Sequence, residues 1–197
     1  MQNQGPRVMH DWKNVRLQQD KDREEPAGIL REYAELLAGT ASLGPVLDLA
    51  GGDGRNAVFL ARMGLDVVLV DRSADALSRA ERTARKAGVR IRLLQMDLEM
   101  ERSDPLEGMH FGAVVVFRYL HRPLIPGIRR AVVSGGIVVY ETFTVDHAVI
   151  GKPSNPDFLL ERGELLSWFS DWEILHWLEG WMDRPKRAIA QIVCRKP

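Results

Sequence analysis

Apolar and polar positions along this chain fall into blocks that alternate between strand-like and helix-like spacing. Short, almost continuously apolar runs stand at 46–49, 66–70, 91–96, 111–117 (FGAVVVF) and 137–143 (IVVYETF). Runs of that length, rich in Val, Ile and Leu, predict strands covered on both faces. Between them the spacing turns helical. Ile29, Leu30, Tyr33 and Leu36 or Leu37 share one face of a helix over 26–37, and Ala57, Leu60 and Ala61 share a face of another that Gly64 ends. Ser73 is placed to cap a helix running to about Lys86, which Gly88 closes. A short helix with Pro123 near its start leads to Ser134-Gly135-Gly136 and the fifth strand, and a further helix covers 161–169. The last runs, WEILHWLEG and AIAQIVCR, alternate around a short loop holding Pro185 and predict an antiparallel hairpin edge. Residues 1–23 read as a helical or loosely ordered arm, and 24–197 as one domain with an insertion at about 144–160. The alternation predicts an α/β, doubly wound, mostly parallel seven-stranded sheet of Rossmann-like type, with an antiparallel strand at its C-terminus.

The chemistry concentrates in VLDLAGGDGRNAVFLARMGLDVVLVDR, residues 46–72, which reads as strand, glycine turn, helix and second strand. Gly51, Gly52 and Gly54 allow a sharp turn in which backbone touches a ligand. Asp71 ends the second strand, where a carboxylate can accept two hydrogen bonds from a ribose diol. Gly52, Gly54 and Ala57 also satisfy the dinucleotide fingerprint, with Asp71 lying 17 residues beyond Gly54. A pyrophosphate, however, wants backbone N–H groups and the positive end of a helix. Asp53 inside the turn and Asp48 before it would repel that ligand and suit one carrying positive charge, such as the ammonium and sulfonium of S-adenosylmethionine. Asp97, after the third strand in QMDLEM, could accept from an adenine amino group, and the next backbone N–H could donate to the ring.

DLAGGDGRN, VDRS and MDLE, in this order, resemble the class I S-adenosylmethionine-dependent methyltransferases. GDGRNAVFLA followed by VDRSADAL is similar to the small-molecule branch that includes tellurite-resistance-type and thiopurine- or thiol-type enzymes. The resemblance runs from about Trp12 to the C-terminus. It implies that Asp48, Ala50, Gly51, Gly52 and Gly54 serve the methionine end, Asp71 the ribose, and Asp97 and Leu98 the adenine, with Asn56, Arg72 and Phe117 also on the cofactor. Ala50 stands where the common pattern has its first glycine.

In doubly wound sheets ligands sit beyond the carboxyl ends of the strands. That rule points to Arg118, Tyr119, His121 and Glu141 as candidate catalytic groups. It makes Arg122, Phe143, Asn155 and Phe158 candidate substrate contacts. The stretch from Gly151 to about Leu160 has two prolines, little periodicity and more length than a plain connection needs, so it is placed to act as a lid, with Asp157 a further candidate. Methyl transfer from a sulfonium is an in-line displacement that needs alignment more than acid–base work. A thiolate acceptor needs no base, whereas a neutral amine or hydroxyl would call on His121, Glu141 or Tyr119.

Composition narrows the partners. Twenty-seven basic and twenty-seven acidic residues cancel, which leaves no broad footprint for nucleic acid. The six basic residues Arg79, Arg82, Arg85, Lys86, Arg90 and Arg92 read as a solvated helix face with Asp75 and Glu81. The clustered Trp168, Trp172, Trp177 and Trp181 read as packing. Cys194 is the single cysteine and reads as a small buried hydrophobe, so a reducing cytoplasm is expected. No apolar run approaches the ~20 residues of a membrane helix, and the first ten residues lack a signal-peptide core. No metal-ligand spacing and no Ser-His-Asp arrangement stands out. The expectation is a cytoplasmic S-adenosylmethionine-dependent methyltransferase for a small acceptor. A macromolecular (tRNA, rRNA or protein) methyltransferase and a non-catalytic S-adenosylmethionine-binding domain are the alternatives.

Overall fold

The computed structural model describes residues 25–100 and 104–197; the expected arm over 1–23 lies outside them. Seven strands form one sheet: β1 Val46–Leu49, β2 Val67–Asp71, β3 Arg92–Gln95, β4 Phe111–Phe117, β5 Val132–Phe143, β6 Glu173–Asp183 and β7 Lys186–Arg195. Their order is β3-β2-β1-β4-β5-β7-β6. The first five pair in parallel, and β7 runs antiparallel to both β5 and β6. The doubly wound sheet with an antiparallel hairpin at its end is therefore present.

Helices α1 Gly28–Glu32, α2 Ala34–Ala38, α3 Arg55–Arg62, α4 Ala74–Ala87, α5 Ile125–Ala131 and α6 Glu164–Trp168 complete the described residues. Two apolar layers sandwich the sheet. Val46, Val115 and Val139 pack with Ala57, Leu60, Leu77 and Ala80 on one side. Leu47, Val116 and Tyr140 pack with Ile125, Ile128 and Phe169 on the other. Neighbouring residues of a strand face opposite layers, so the interior strands β1, β2 and β4 lack a polar face, whereas β3, expected to be covered on both faces, lies at the sheet edge with Arg92 and Gln95 exposed. Asp48 shares the side of Val46, so its carboxylate points under α3.

Local signals set most ends. Ser73 Oγ accepts from the Ala76 N–H at 3.2 Å, and Gly88 closes α4 in the left-handed conformation at φ 70°. Four details depart from the sequence reading. The first helix breaks at Tyr33 into α1 and α2, and that ring lies 5.6 Å from His176. Asp66 precedes β2, its carboxylate paired with Arg92 at 2.7 Å. The fifth strand starts at Val132 and crosses Ser134–Gly136 as an irregularity, the register against β4 shifting between Phe111 and Ala113. The 161–169 helix begins at Glu164, after Gly163 at φ 72°.

β1 pairs with β2 on one side and β4 on the other. The chain winds away from β1 in both directions, which opens a crevice at the carboxyl ends of β1 and β4. Trp168, Trp172 and Trp177 pack on the core as expected, whereas Trp181 is exposed. Trp172 is buried beside Phe169, with the Arg129 guanidinium 5.3 Å from its ring. Among the described residues no helix is long and apolar enough to cross a membrane.

Candidate functional site

The crevice holds two chambers that share Ala50. One, of about 250 Å³, is lined by Asp71, Arg72, Met96, Asp97, Leu98, Glu99, Tyr119, Leu120 and Phe158. The other, of about 360 Å³, is lined by Asp48, Gly51, Gly52, Asp53, Arg55, Asn56, Phe117 and Arg118.

The turn that joins them is built around two carboxylates. Asp71 Oδ2 accepts the Gly52 N–H and Oδ1 the Ser73 N–H, both at 2.9 Å. Each oxygen has a second lone pair, which leaves Asp71 able to take a diol from the chamber side. Asp48 is 1% exposed, and its Oδ2 accepts the Ala57 N–H at 3.0 Å. Burial pushes its pKa up to about 7, against the lowering effects of the Ala57 N–H and Arg55; the Asp71 charge adds to the rise. A Cβ on Gly51 would lie 2.8 Å from the Asp48 carboxyl carbon, so glycine is what lets the loop close over that acid. Gly52, at φ 55°, has nothing within 4 Å of where its Cβ would be and faces open space.

Ala50 and Arg118 both have positive φ, 53° and 57°. They follow the neighbouring strands β1 and β4, and both line the second chamber. Such conformations cost about 1–3 kcal/mol each and gather at functional sites. Asp97, at the other end, accepts the Glu99 N–H at 3.0 Å beside buried Leu98. Carboxylates thus stand at three successive stations along one crevice, and the open cradle at Gly52 admits a ligand against the backbone. These groups fit a nucleoside with a cationic amino-acid tail.

The expected cofactor residues converge here, with three adjustments. Gly54 begins α3 at φ 78°, and its missing Cβ makes room for Ala80 of α4, so it serves helix packing. Asn56 spends its side-chain oxygen on the Ala27 N–H at 3.0 Å. Asp53 is exposed and paired with Arg79 at 2.8 Å, so the charge expected to repel a pyrophosphate is partly offset there and the expectation rests on Asp48.

The expected acceptor residues scatter more. Arg118 lines the second chamber, its N–H held by the Glu141 carbonyl at 2.9 Å. The Glu141 side chain is buried and accepts from Gln191 Nε2 at 2.6 Å, while Gln191 Oε1 lies 3.3 Å from His176 Nε2. Tyr119 lines the first chamber. Burial above all, then the Glu99 charge, raises its phenol well above the usual value, and its hydroxyl is buried without a hydrogen-bond partner among the described residues. His121 lies in neither lining and starts a 3-10 turn, its carbonyl accepting the Leu124 N–H. Arg122 is no substrate contact: its guanidinium is spent on Glu164 and on the Asp157 and Leu159 carbonyls. Phe143 stacks on His147 at 4.2 Å, and Asn155 Oδ1 accepts the Asp157 N–H at 3.1 Å. Phe158 is at the crevice, but in the first chamber, away from Arg118.

Four lining residues were not anticipated: Met96, Glu99 and Leu120 in the first chamber and Arg55 in the second. Arg55 is the first residue of α3 after the glycine turn, and that position alone could have flagged it. Its pKa is lowered by burial and then by Arg118, with Glu141 and Asp48 opposing. His147 is a buried structural residue the pattern did not reveal. Its Nδ1 accepts the Ala188 N–H at 3.3 Å, which leaves Nε2 as the donor to the Lys152 carbonyl at 3.2 Å.

A profile described as a methyltransferase domain matches residues 46–136. A probable S-adenosyl-L-methionine-dependent methyltransferase TehB of Haemophilus influenzae (strain 10810) is 27% identical over 141 residues, covering 68% of this chain and 48% of its own. A tRNA 5-carboxymethoxyuridine methyltransferase of Escherichia coli (strain K12) is 24% identical over 165 residues, covering 68% of this chain and 63% of its own. The chain thus spans less than two thirds of the length of either relative. Among solved structures, TehB from Haemophilus influenzae superposes with a TM-score of 0.69 at 23% identity, over 87% of this chain and 62% of that one. An S-adenosylmethionine-dependent methyltransferase from Clostridium acetobutylicum gives 0.64 at 12% identity, over 93% and 98%. Residues 46–136 thus match a methyltransferase domain, and they lie on a sheet whose fold solved S-adenosylmethionine-dependent methyltransferases share.

Proposed function

We propose that the protein transfers the methyl group of S-adenosylmethionine to a small acceptor. The observation that carries this reading is the placing of Asp48, Asp71 and Asp97 around two chambers joined at Ala50. Asp97 and the Leu98 N–H would hold the adenine, Asp71 the ribose, and Asp48 with the Gly51–Gly52 backbone the cationic methionine end. The cofactor, when bound, supplies an electrophilic methyl on a sulfonium. What the chain supplies is alignment: the rigid turn fixes the donor, and Arg118 stands at the wall of the chamber where an acceptor would arrive.

No free base lies among the three candidates. Tyr119 stays protonated, Glu141 is engaged by Gln191, and His121 lies in neither lining. This favours an acceptor that is already nucleophilic near neutral pH, such as a thiolate or another soft anion. Residues 24–197 then act as one domain, with 144–160 inserted as a lid, working in a reducing cytoplasm.

Labelled methyl transfer to a panel of thiols, chalcogen anions, amines and small acids tests the proposal. Transfer to a thiol or chalcogen anion, with amines inert, supports it; transfer to none of them would count against it. The Escherichia coli relative, a tRNA methyltransferase, makes RNA the second reading. Equal counts of acidic and basic residues favour the small acceptor, and a salt-dependent gel shift with tRNA would reverse that preference.

A further inference from the structure

We infer that Phe158 closes over the base of the bound nucleoside as an aromatic lid, and that Arg122 is the positioning residue that holds it there; the inference rests on the cofactor reading above. Phe158 ends a short 3-10 turn, Pro156–Phe158, in the connection between β5 and α6. Its side chain is 51% exposed, yet it lines the first chamber with Ala50, Leu98, Tyr119 and Leu120. A half-exposed aromatic at the mouth of a chamber that has an acid at its base edge presents a flat apolar face to a flat ligand. Stacking of this kind tolerates any base and supplies affinity, while Asp97 and the Leu98 N–H supply the reading of base edges.

The turn that carries the ring is fastened by one guanidinium. Arg122 Nε and Nη2 donate to the two oxygens of Glu164 at 2.6 and 2.9 Å. Nη1 donates to the Asp157 carbonyl at 3.1 Å and Nη2 to the Leu159 carbonyl at 2.8 Å. Those two carbonyls flank Phe158, so the guanidinium grips the backbone on either side of the ring. Glu164 is itself fixed by the Glu161 N–H at 2.8 Å, and Asn155 Oδ1 caps the turn from below. Past the ring, the Leu160 N–H donates to the Phe143 carbonyl at 2.9 Å, which ties the segment to the end of β5. The backbone is thus held while the ring remains uncovered. A ligand that covers such a ring loses little ordering entropy to the lid. Lysine cannot replace this arginine, because a single ammonium lacks the planar set of donors that reaches a carboxylate and two carbonyls together.

The test is calorimetric titration of the full chain with S-adenosylhomocysteine and, separately, with adenosine. Phe158→Ala should weaken both ligands about tenfold, the usual loss when a stacking aromatic is removed. Phe158→Trp should restore binding and Phe158→Leu should not, which separates stacking from mere bulk. The unfolding midpoint of Phe158→Ala should stay close to wild type, because the ring is half exposed already. Arg122→Lys should weaken both ligands as well, yet add no further loss in the Phe158→Ala background, since it acts through that ring. Wild-type affinity in Phe158→Ala, leucine restoring binding as well as tryptophan, or additive losses for the two sites would overturn the inference alone. If the wild-type chain binds neither probe, the cofactor reading fails and the inference falls with it.

Discussion

Replacing Asp48 by asparagine should change how stability depends on pH. The carboxyl is 1% exposed, and its pKa is pushed up to about 7 from 3.8, burial being the main cause. Because the folded value lies above the unfolded one, the folded chain binds the proton more tightly. The associated stability is complete below the unfolded value and is lost as pH rises through about 7. A shift of three units corresponds to roughly 4 kcal/mol in full, of which about 2–3 kcal/mol falls between pH 5 and pH 8. Asparagine keeps the shape and an oxygen for the Ala57 N–H, but does not titrate. Urea unfolding of both proteins at pH 5, 6.5 and 8 isolates the effect, because the other titrating groups cancel in the difference. Asp48→Asn should gain about 2–3 kcal/mol relative to wild type from pH 5 to pH 8. Parallel curves would refute the reasoning, since they would mean that burial does not govern this carboxyl. Saturating S-adenosylhomocysteine should flatten the wild-type dependence, its ammonium holding Asp48 ionised.

Two further outcomes separate the parts of the site. Gly51→Ala should destabilise the fold by about 1–3 kcal/mol and impair cofactor binding, since its Cβ would meet the Asp48 carboxyl and Leu69 at 2.8 Å. Gly52→Ala, with open space around it, should cost only the ~1–2 kcal/mol of a left-handed alanine; chemical unfolding of the two variants gives the comparison. Arg118→Ala should lower turnover more than S-adenosylhomocysteine affinity, because it stands outside the nucleoside chamber, on the wall where an acceptor would arrive. Equal losses in affinity and turnover would instead place Arg118 on the cofactor.

What was legible in the sequence is what short-range geometry determines. The glycine turn, Ser73 and Gly88 at the ends of α4, and the acids ending β2 and following β3 all act within a few residues of themselves, so their types and spacing were enough. Burial on both faces also wrote the interior parallel strands directly into apolar runs, while β3 at the sheet edge is only half-buried. What required the fold acts at a distance. Arg122 looked like a substrate contact because Glu164, 42 residues on, is invisible as its partner. Asp53 looked like a ligand-facing charge because its partner Arg79, 26 residues on, lies on α4. The 151–160 stretch stood out as more than a plain connection, but the chamber that Phe158 lines depends on distant ties such as those from Arg122 to the Asp157 and Leu159 carbonyls. Tyr33 was read as one position on a continuous helical face; its place beside His176 of β6 could not be seen from spacing.

The central claim is that the crevice is an S-adenosylmethionine site built on strand-end carboxylates. Calorimetric titration of wild type and Asp71→Ala with S-adenosylhomocysteine, and with NADH as the competing nucleotide, tests it most directly. Binding of S-adenosylhomocysteine by wild type, strong weakening in Asp71→Ala and no heat with NADH is the expected result. Binding of NADH without S-adenosylhomocysteine, or equal affinity in the two proteins, would contradict it.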